Sequence, residues 1–259
     1  MSQTLVAAEP DRSTLRRAAT ASFIGNFVEW FDYASYAYLA TVIAVVFFPT
    51  ENRTAALLST FMVFALSFIL RPIGGVIWGT LGDRRGRRWA LSWSILLMSA
   101  ASFGIGLLPG WAAIGIWAPL GLLLLRMVQG FSASGEYAGA ATFLSEYAPA
   151  GKRGLFTSLV PASTATGLLA GSLLVAMMHQ LLSDADLQSW GWRIPFLMAG
   201  PLGLVGRYIR VHLEDSPHYR AMAKASTKES VPVRDLLRPT AAAWRSPSGW
   251  PASTPWRST

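Results

Sequence analysis

In the apolar stretch 20–48, Glu29 and Asp32 stand three residues apart, so a helix places both carboxylates on one face. A second apolar stretch, 113–147, carries Arg126. Ionisable groups inside such segments are expensive and are functional candidates by default. Counted in from Phe48, Asp32 lies about 16 residues deep; counted in from Ala113, Arg126 lies about 13, or roughly 24 and 20 Å at the rise of a helix. The two are therefore expected to meet. In a dry site an arginine holds a carboxylate ionised, and protonation releases the arginine. That is a workable proton switch; a structural ion pair ordering two helices is the plainer alternative. Glu136 follows Arg126 by about 15 Å of helix. With Tyr137 it serves as a proton relay or lines a cavity, or else it makes a packing hydrogen bond. Arg71, directly before Pro72, either faces a cavity or bonds carbonyls freed by the proline. Tyr33, Tyr36, Gln129 and Tyr137 complete the candidate cavity lining, with plain packing as the alternative for each aromatic.

These residues need long apolar elements to hold them, and the composition supplies them. The 259 residues are 52% hydrophobic and only 14% charged, with a mean hydropathy of +0.37. Soluble domains average about 25% charged residues. Six stretches have the length of a membrane-spanning helix: 20–48, 55–80, 89–109, 113–147, 154–182 and 193–213. The chain has no cysteine, hence no disulfide or thiolate metal site.

The net charge of +8 is distributed by loop. Arg12, Arg16 and Arg17 precede the first span. Arg84, Arg85, Arg87 and Arg88 lie between the second and third, and Lys152 and Arg153 between the fourth and fifth. Arg207, Arg210, Arg220, Lys224, Lys228, Arg234 and Arg238 cluster at and after the end of the sixth. The alternate loops are nearly bare of Lys and Arg. This is the positive-inside pattern of a polytopic protein with both termini in the cytoplasm. The charge is a topology signal and not a nucleic-acid footprint. Trp190 and Trp192 fit an aromatic interface belt, with Arg193 at the outer boundary. No cleavable signal is visible, and the first span is expected to act as an uncleaved insertion signal.

Several strings occur in order: GNFVEWFDYASY at 25–36, RPIGG at 71–75, GTLGDRRGRR at 79–88, RMVQGFSASGEYAGA at 126–140, SEYAPAGKRG at 145–154, WGWRIPF at 190–196 and EDSPHY at 214–219. Together they resemble the metabolite:proton symporter branch of the major facilitator superfamily, which includes transporters for proline and betaine, α-ketoglutarate, citrate and shikimate. The resemblance covers about residues 16–238. It departs from the branch at Ser134, where a glycine is usual, and in length, since that family has twelve helices in two halves. It implies the same Asp32–Arg126 pairing. It also implies an ion-pair latch at the cytoplasmic surface, formed by Gly79, Asp83, Arg84, Gly86, Arg87, Arg88, Glu146, Arg153 and Glu214. The plainer reading is that these arginines only set topology.

The expected fold is all-α: a six-transmembrane-helix bundle equivalent to the N-terminal half of a major facilitator. A cytoplasmic segment is expected at 1–18, the bundle at 19–213 and a cytoplasmic linker at 214–239. Residues 240–259, rich in Trp, Ser, Pro and Arg, fit no element and read as an out-of-frame tail, with a natural disordered tail as the plainer alternative. The expected function is proton-coupled symport of a small organic solute, an acid or a zwitterion, in the cell (inner) membrane. Asp32, Arg126, Glu29 and Glu136 would carry proton coupling. Partners are the solute, protons, lipid, and a missing C-terminal half or a second copy. The alternative is a non-transporting half or a six-helix membrane scaffold. No cofactor or metal site is expected: there is no GxxxxGK[ST] loop, and His179, His212 and His218 lack ligand spacing. Neither HExxH nor GxSxG appears, which disfavours an enzyme.

Overall fold

The first span is bent rather than straight. Helix α1 (Arg12–Tyr38) gives way at Leu39 to α2 (Ala40–Phe47), and the two axes differ by 69°. The structure, a computed structural model, describes residues 12–149 and 151–212. The expected linker 214–239, the tail 240–259 and the gate residue Glu214 lie outside the described residues. Helix α1 starts earlier than the sequence suggested, because Leu15 and Ala18 are buried in a cluster with Leu91, Phe143, Tyr147 and Val160. The helix therefore reaches into the segment expected to be a polar terminus.

Helix α3 (Arg53–Ile69) opens on Asn52, whose side chain accepts from the Ala55 N–H at 3.1 Å, a standard N-cap. It runs nearly without a break into α4 (Arg71–Arg85), where Pro72 occupies the first turn and gives up a donor that was already spare. The arginine loop is very short. Gly86 alone separates α4 from α5 (Arg87–Leu107), with φ at 100°, a backbone conformation that L side chains rarely adopt.

A short helix α6 (Trp111–Ile114) leads into the fourth span, which is two helices and not one. Helix α7 (Trp117–Ala133) and helix α8 (Glu136–Tyr147) are interrupted at Ser134–Gly135. The Ser134 hydroxyl donates back to the Phe131 carbonyl at 2.7 Å, inside its own span. Then come α9 (Arg153–Thr157), α10 (Leu159–Leu181), α11 (Asp184–Asp186), a π turn (Leu187–Gly191) and α12 (Arg193–Val211).

Segments Arg53–Arg85, Arg87–Leu107 and Arg153–Leu181 are each long and apolar enough to cross a membrane, and the bent pair α1–α2 makes a fourth. The other two spans are the broken α7–α8 and α12, which carries Arg193, Arg207 and Arg210. The fourth span is divided at Ser134–Gly135, and α12 carries three arginines, of which Arg210 is paired inside the bundle.

Helix α1 is the central element and is buried along most of residues 21–36. It packs on α10, and α5 packs on α12. The first contact depends on the GxxxG pair of α10. A methyl at Gly167 would sit 2.7 Å from the Phe27 carbonyl, and one at Gly171 would sit 2.7 Å from the Phe31 carbonyl. Small residues here let two backbones touch, which is how helices associate without a hydrophobic driving force. Asn26 reinforces it by donating to the Val160 carbonyl, the Ser163 hydroxyl and the Thr164 hydroxyl at 2.8–3.0 Å. A second apolar cluster, around Tyr36, Phe47, Ile105, Leu122, Trp192 and Phe196, fills the end opposite the arginine loop.

Trp192 corrects one expectation. It belongs to that cluster, wholly buried and edge-on to Phe47 with ring centroids 5.3 Å apart, and not to an interface belt. Its neighbour Trp190 is half exposed. Arg193 bonds the Ser189 and Leu108 carbonyls at 2.7 and 3.2 Å and lies over the Trp192 ring.

Candidate functional site

Between the two apolar clusters lie three ion pairs, two of them built on α1. Asp32 and Arg126 join α1 to α7 through an Nη1–Oδ2 contact of 2.6 Å, with both side chains fully buried. The other carboxylate oxygen accepts from Gln129 Nε2 at 3.0 Å, and the same nitrogen reaches Ser102 Oγ on α5 at 2.5 Å. The guanidinium lies 3.7 Å above the centroid of the Tyr36 ring, with Phe64 and Phe196 further off. Tyr36 is itself held by its hydroxyl, which donates to the Thr60 carbonyl at 2.9 Å. Arg126 and Gln129 lie three apart on α7, so one face of that helix presents both groups to Asp32. The ring face and the carboxylate compensate part of the buried charge, while Arg126 Nε and Nη2 have no hydrogen-bond partner among the described residues.

One turn along α1, Glu29 pairs with Arg71 at 2.5 Å, joining α1 to the first turn of α4. Arg71 also donates to the Tyr33 hydroxyl and lies over the Phe68 and Tyr33 rings. Among the described residues its bonds go to these side chains and not to carbonyls freed by Pro72. Glu29 is buried, whereas the Arg71 side chain is 28% exposed.

The third pair was not legible from the sequence. Glu136 at the start of α8 is bound by Arg210 of α12, an arginine counted above with the topology charges. Arg210 also donates to the Leu91 and Ala21 carbonyls at 2.7 and 3.2 Å, and Ser94 donates to Glu136 at 3.1 Å. The knot ties α1, α5, α8 and α12 together. A signal was available: Ala199, Gly203, Gly206 and Arg210 recur at helical spacing on the buried face of α12. Tyr137, next to Glu136, points elsewhere and is exposed.

The proposed gate residues lie around the arginine loop. Arg87 and Glu146 form an ion pair at 2.6 Å across α5 and α8. Arg88 reaches the Val211 carbonyl at 3.5 Å. Asp83, Arg84 and Arg153 are exposed. Gly79 and Asp83, with Trp78, Arg87, Ser134 and Gly139, line a groove of about 290 Å³ between α4, α5 and α8. A methyl at Gly79 would meet nothing within 4 Å, so no packing inside this bundle requires a glycine there.

The family model described as sugar (and other) transporter matches residues 18–242. The proline/betaine transporter of Escherichia coli (strain K12) is 41% identical over 210 residues, covering 81% of this chain and 42% of that protein. The putative proline/betaine transporter of Staphylococcus aureus (strain COL) is 44% identical over 230 residues, covering 88% and 49%. A glycine betaine/proline/ectoine/pipecolic acid transporter of Dickeya dadantii (strain 3937) is 42% identical over 210 residues, covering 81% and 42%. The chain thus spans about half the length of the curated relatives it matches. Among solved structures, the proton:xylose symporter of the major facilitator superfamily bound to 6-bromo-6-deoxy-D-glucose superposes with a TM-score of 0.73 at 18% identity, over 85% of this chain and 48% of that one. The inward-open xylose transporter from E. coli gives 0.70 at 17%, over 90% and 57%. At those identities the structures speak for the fold alone. The chain belongs to the sugar (and other) transporter family, as a multi-spanning membrane protein and not an enzyme, and its bundle is the N-terminal half of the major facilitator fold.

Proposed function

We propose that this bundle is the N-terminal half of a proton-coupled secondary transporter, a symporter of a small zwitterion or organic acid. The observation that carries the reading is the fully buried Asp32–Arg126 pair, closed by Gln129. A buried pair of this kind is weak evidence for stability, because its desolvation offsets most of its attraction. Its use lies in having two states. Ionised Asp32 holds Arg126; protonated Asp32 releases it and loosens α1 from α7. The relatives' names, proline/betaine transporter among them, favour a zwitterionic solute.

Alternating access rocks two helical halves about a midplane site. The six spans here are one such half. The second, a C-terminal half or a further copy, is part of the proposal. The basic loops orient the protein in the inner membrane with Asp83–Arg88 in the cytoplasm. There Arg87–Glu146 and its neighbours act as a latch. A surface ion pair contributes little by itself, but one made in a single state of two biases their balance.

The test is uptake of radiolabelled proline and glycine betaine by cells lacking their own carriers and expressing the chain, with and without a protonophore. Uptake that collapses with the proton gradient and with Asp32→Asn supports the proposal. A chain that folds in the membrane and takes up nothing is a non-transporting half or a scaffold. Uptake that survives Asp32→Asn unchanged removes Asp32 from coupling.

A further inference from the structure

The two carboxylates of α1 are one turn apart but differently built. Both Asp32 oxygens have partners, and neither Asp32 nor Arg126 is exposed at all. Glu29 has one oxygen on Arg71, while its Oε2, although buried, has no hydrogen-bond partner. Arg71 Nε is likewise buried without a partner, yet the guanidinium as a whole is 28% exposed. The pair is half-built and reachable from one side only, that of Arg71. A guanidinium at this depth does not face hydrocarbon cheaply, so its open side belongs to a water-filled cavity. The Phe68 ring at 4.6 Å and the Tyr33 ring at 5.2 Å fix its plane.

On the transporter reading above, we infer that Arg71 is where the solute's carboxylate takes the place of Glu29, and that the displaced Glu29 takes up the proton in this binding step, while Asp32 is still ionised on Arg126. Arg71 and Glu29 together are neutral. A second carboxylate on Arg71 leaves Glu29 buried and unpaired. A buried carboxylate without a partner protonates instead of staying charged. One N–H···O bond moves from Glu29 Oε1 to a solute oxygen, and one O–H bond forms on Glu29 as one O–H bond of a hydronium ion in the cavity breaks and leaves water. Release of the solute reverses both steps. The other charged groups around Glu29 are Asp32 with Arg126 and Glu136 with Arg210, each already engaged with its own partner although Arg126 Nε and Nη2 are buried without a hydrogen bond among the described residues; Tyr33 accepts from Arg71. None offers Glu29 a replacement cation. The exchange makes uptake of one proton a consequence of two carboxylates competing for one guanidinium.

The experiment uses the full chain in phospholipid nanodiscs, with radiolabelled proline as probe and a pH indicator in weak buffer. Wild-type chain is expected to take up about one proton for each proline bound. Pyrrolidine, which lacks the carboxylate, is expected to cause no uptake. Glu29→Gln should bind proline with the proton uptake gone. Arg71→Lys should weaken binding by roughly tenfold or more, since a lysine cannot reproduce the planar fork. Asp184→Asn, in an exposed turn, is the neutral control. Proline bound by wild type without proton uptake overturns the inference and leaves the transporter reading standing. So does proton uptake that persists in Glu29→Gln. Absence of proline binding to a chain with native helical content removes the solute reading and the exchange with it. The wild-type measurement decides the inference even where a variant fails to fold.

Discussion

Arg210, at the last turn of α12, closes a two-oxygen ion pair on Glu136, the first residue of α8, with both side chains 3% exposed. The two lie at the break that divides the fourth span. Glu136 therefore anchors the α8 half of that span to α1, α5 and α12, while α7 carries Arg126. The break at Ser134–Gly135 separates the tied half from the half that carries Arg126.

Removing one member of the Arg210 knot is expected to destabilise the bundle strongly. Arg210→Met leaves Glu136 buried and unpaired, at a cost of about 3–5 kcal/mol. The double variant Arg210→Met with Glu136→Leu removes both charges and is expected to recover most of that loss. Thermal unfolding of the purified chain in detergent checks it, and equal losses in single and double variants would refute the assignment.

The ring beneath Arg126 supports a separate prediction. Tyr36→Leu removes the aromatic face 3.7 Å from the guanidinium and is expected to cost about 2 kcal/mol. Tyr36→Phe keeps the face and loses only the hydroxyl's bond to the Thr60 carbonyl, about 1 kcal/mol. The order of the two melting temperatures, Leu below Phe, is the measurement.

Gly171→Leu is expected to force α10 away from α1, because even a methyl there would stand 2.8 Å from Ala34 Cβ. Overpacking of this kind costs about 1–3 kcal/mol or more. Thermal unfolding of the purified chain in detergent is the check: Gly171→Ala should melt below wild type and Gly171→Leu below Gly171→Ala, and unchanged melting would contradict the helix pairing.

The loop gives a contrast between backbone and charge. Gly86→Ala places a side chain at φ 100° and is expected to cost at least about 1 kcal/mol. Glu146→Gln breaks a partly exposed pair and is expected to change stability by less than about 1 kcal/mol. Chemical denaturation of the two variants distinguishes them. If Glu146→Gln were the more damaging, the pair would be a structural support and not a latch.

The sequence by itself determined the membrane class, the basic loops and the depths of the charged residues. Hydrophobic length and charge placement are one-dimensional quantities, set by the bilayer's thickness and by the cost of ions within it. The depth count put Asp32 and Arg126 at one level, and in the structure they are in contact. Tertiary structure alone decided the partners. Glu29 and Arg71 are 42 positions apart, and Glu136 and Arg210 are 74 apart. The small residues Ala199, Gly203 and Gly206 mark one face of α12, but only their contact with Ser99 and Ile95 of α5 brings Arg210 to Glu136. The same holds for Trp192: its composition suits an interface, but the bend at Leu39 brings Phe47 against it and makes it core. Spacing fixes how deep a side chain lies, but only the close approach of helices fixes which way it points.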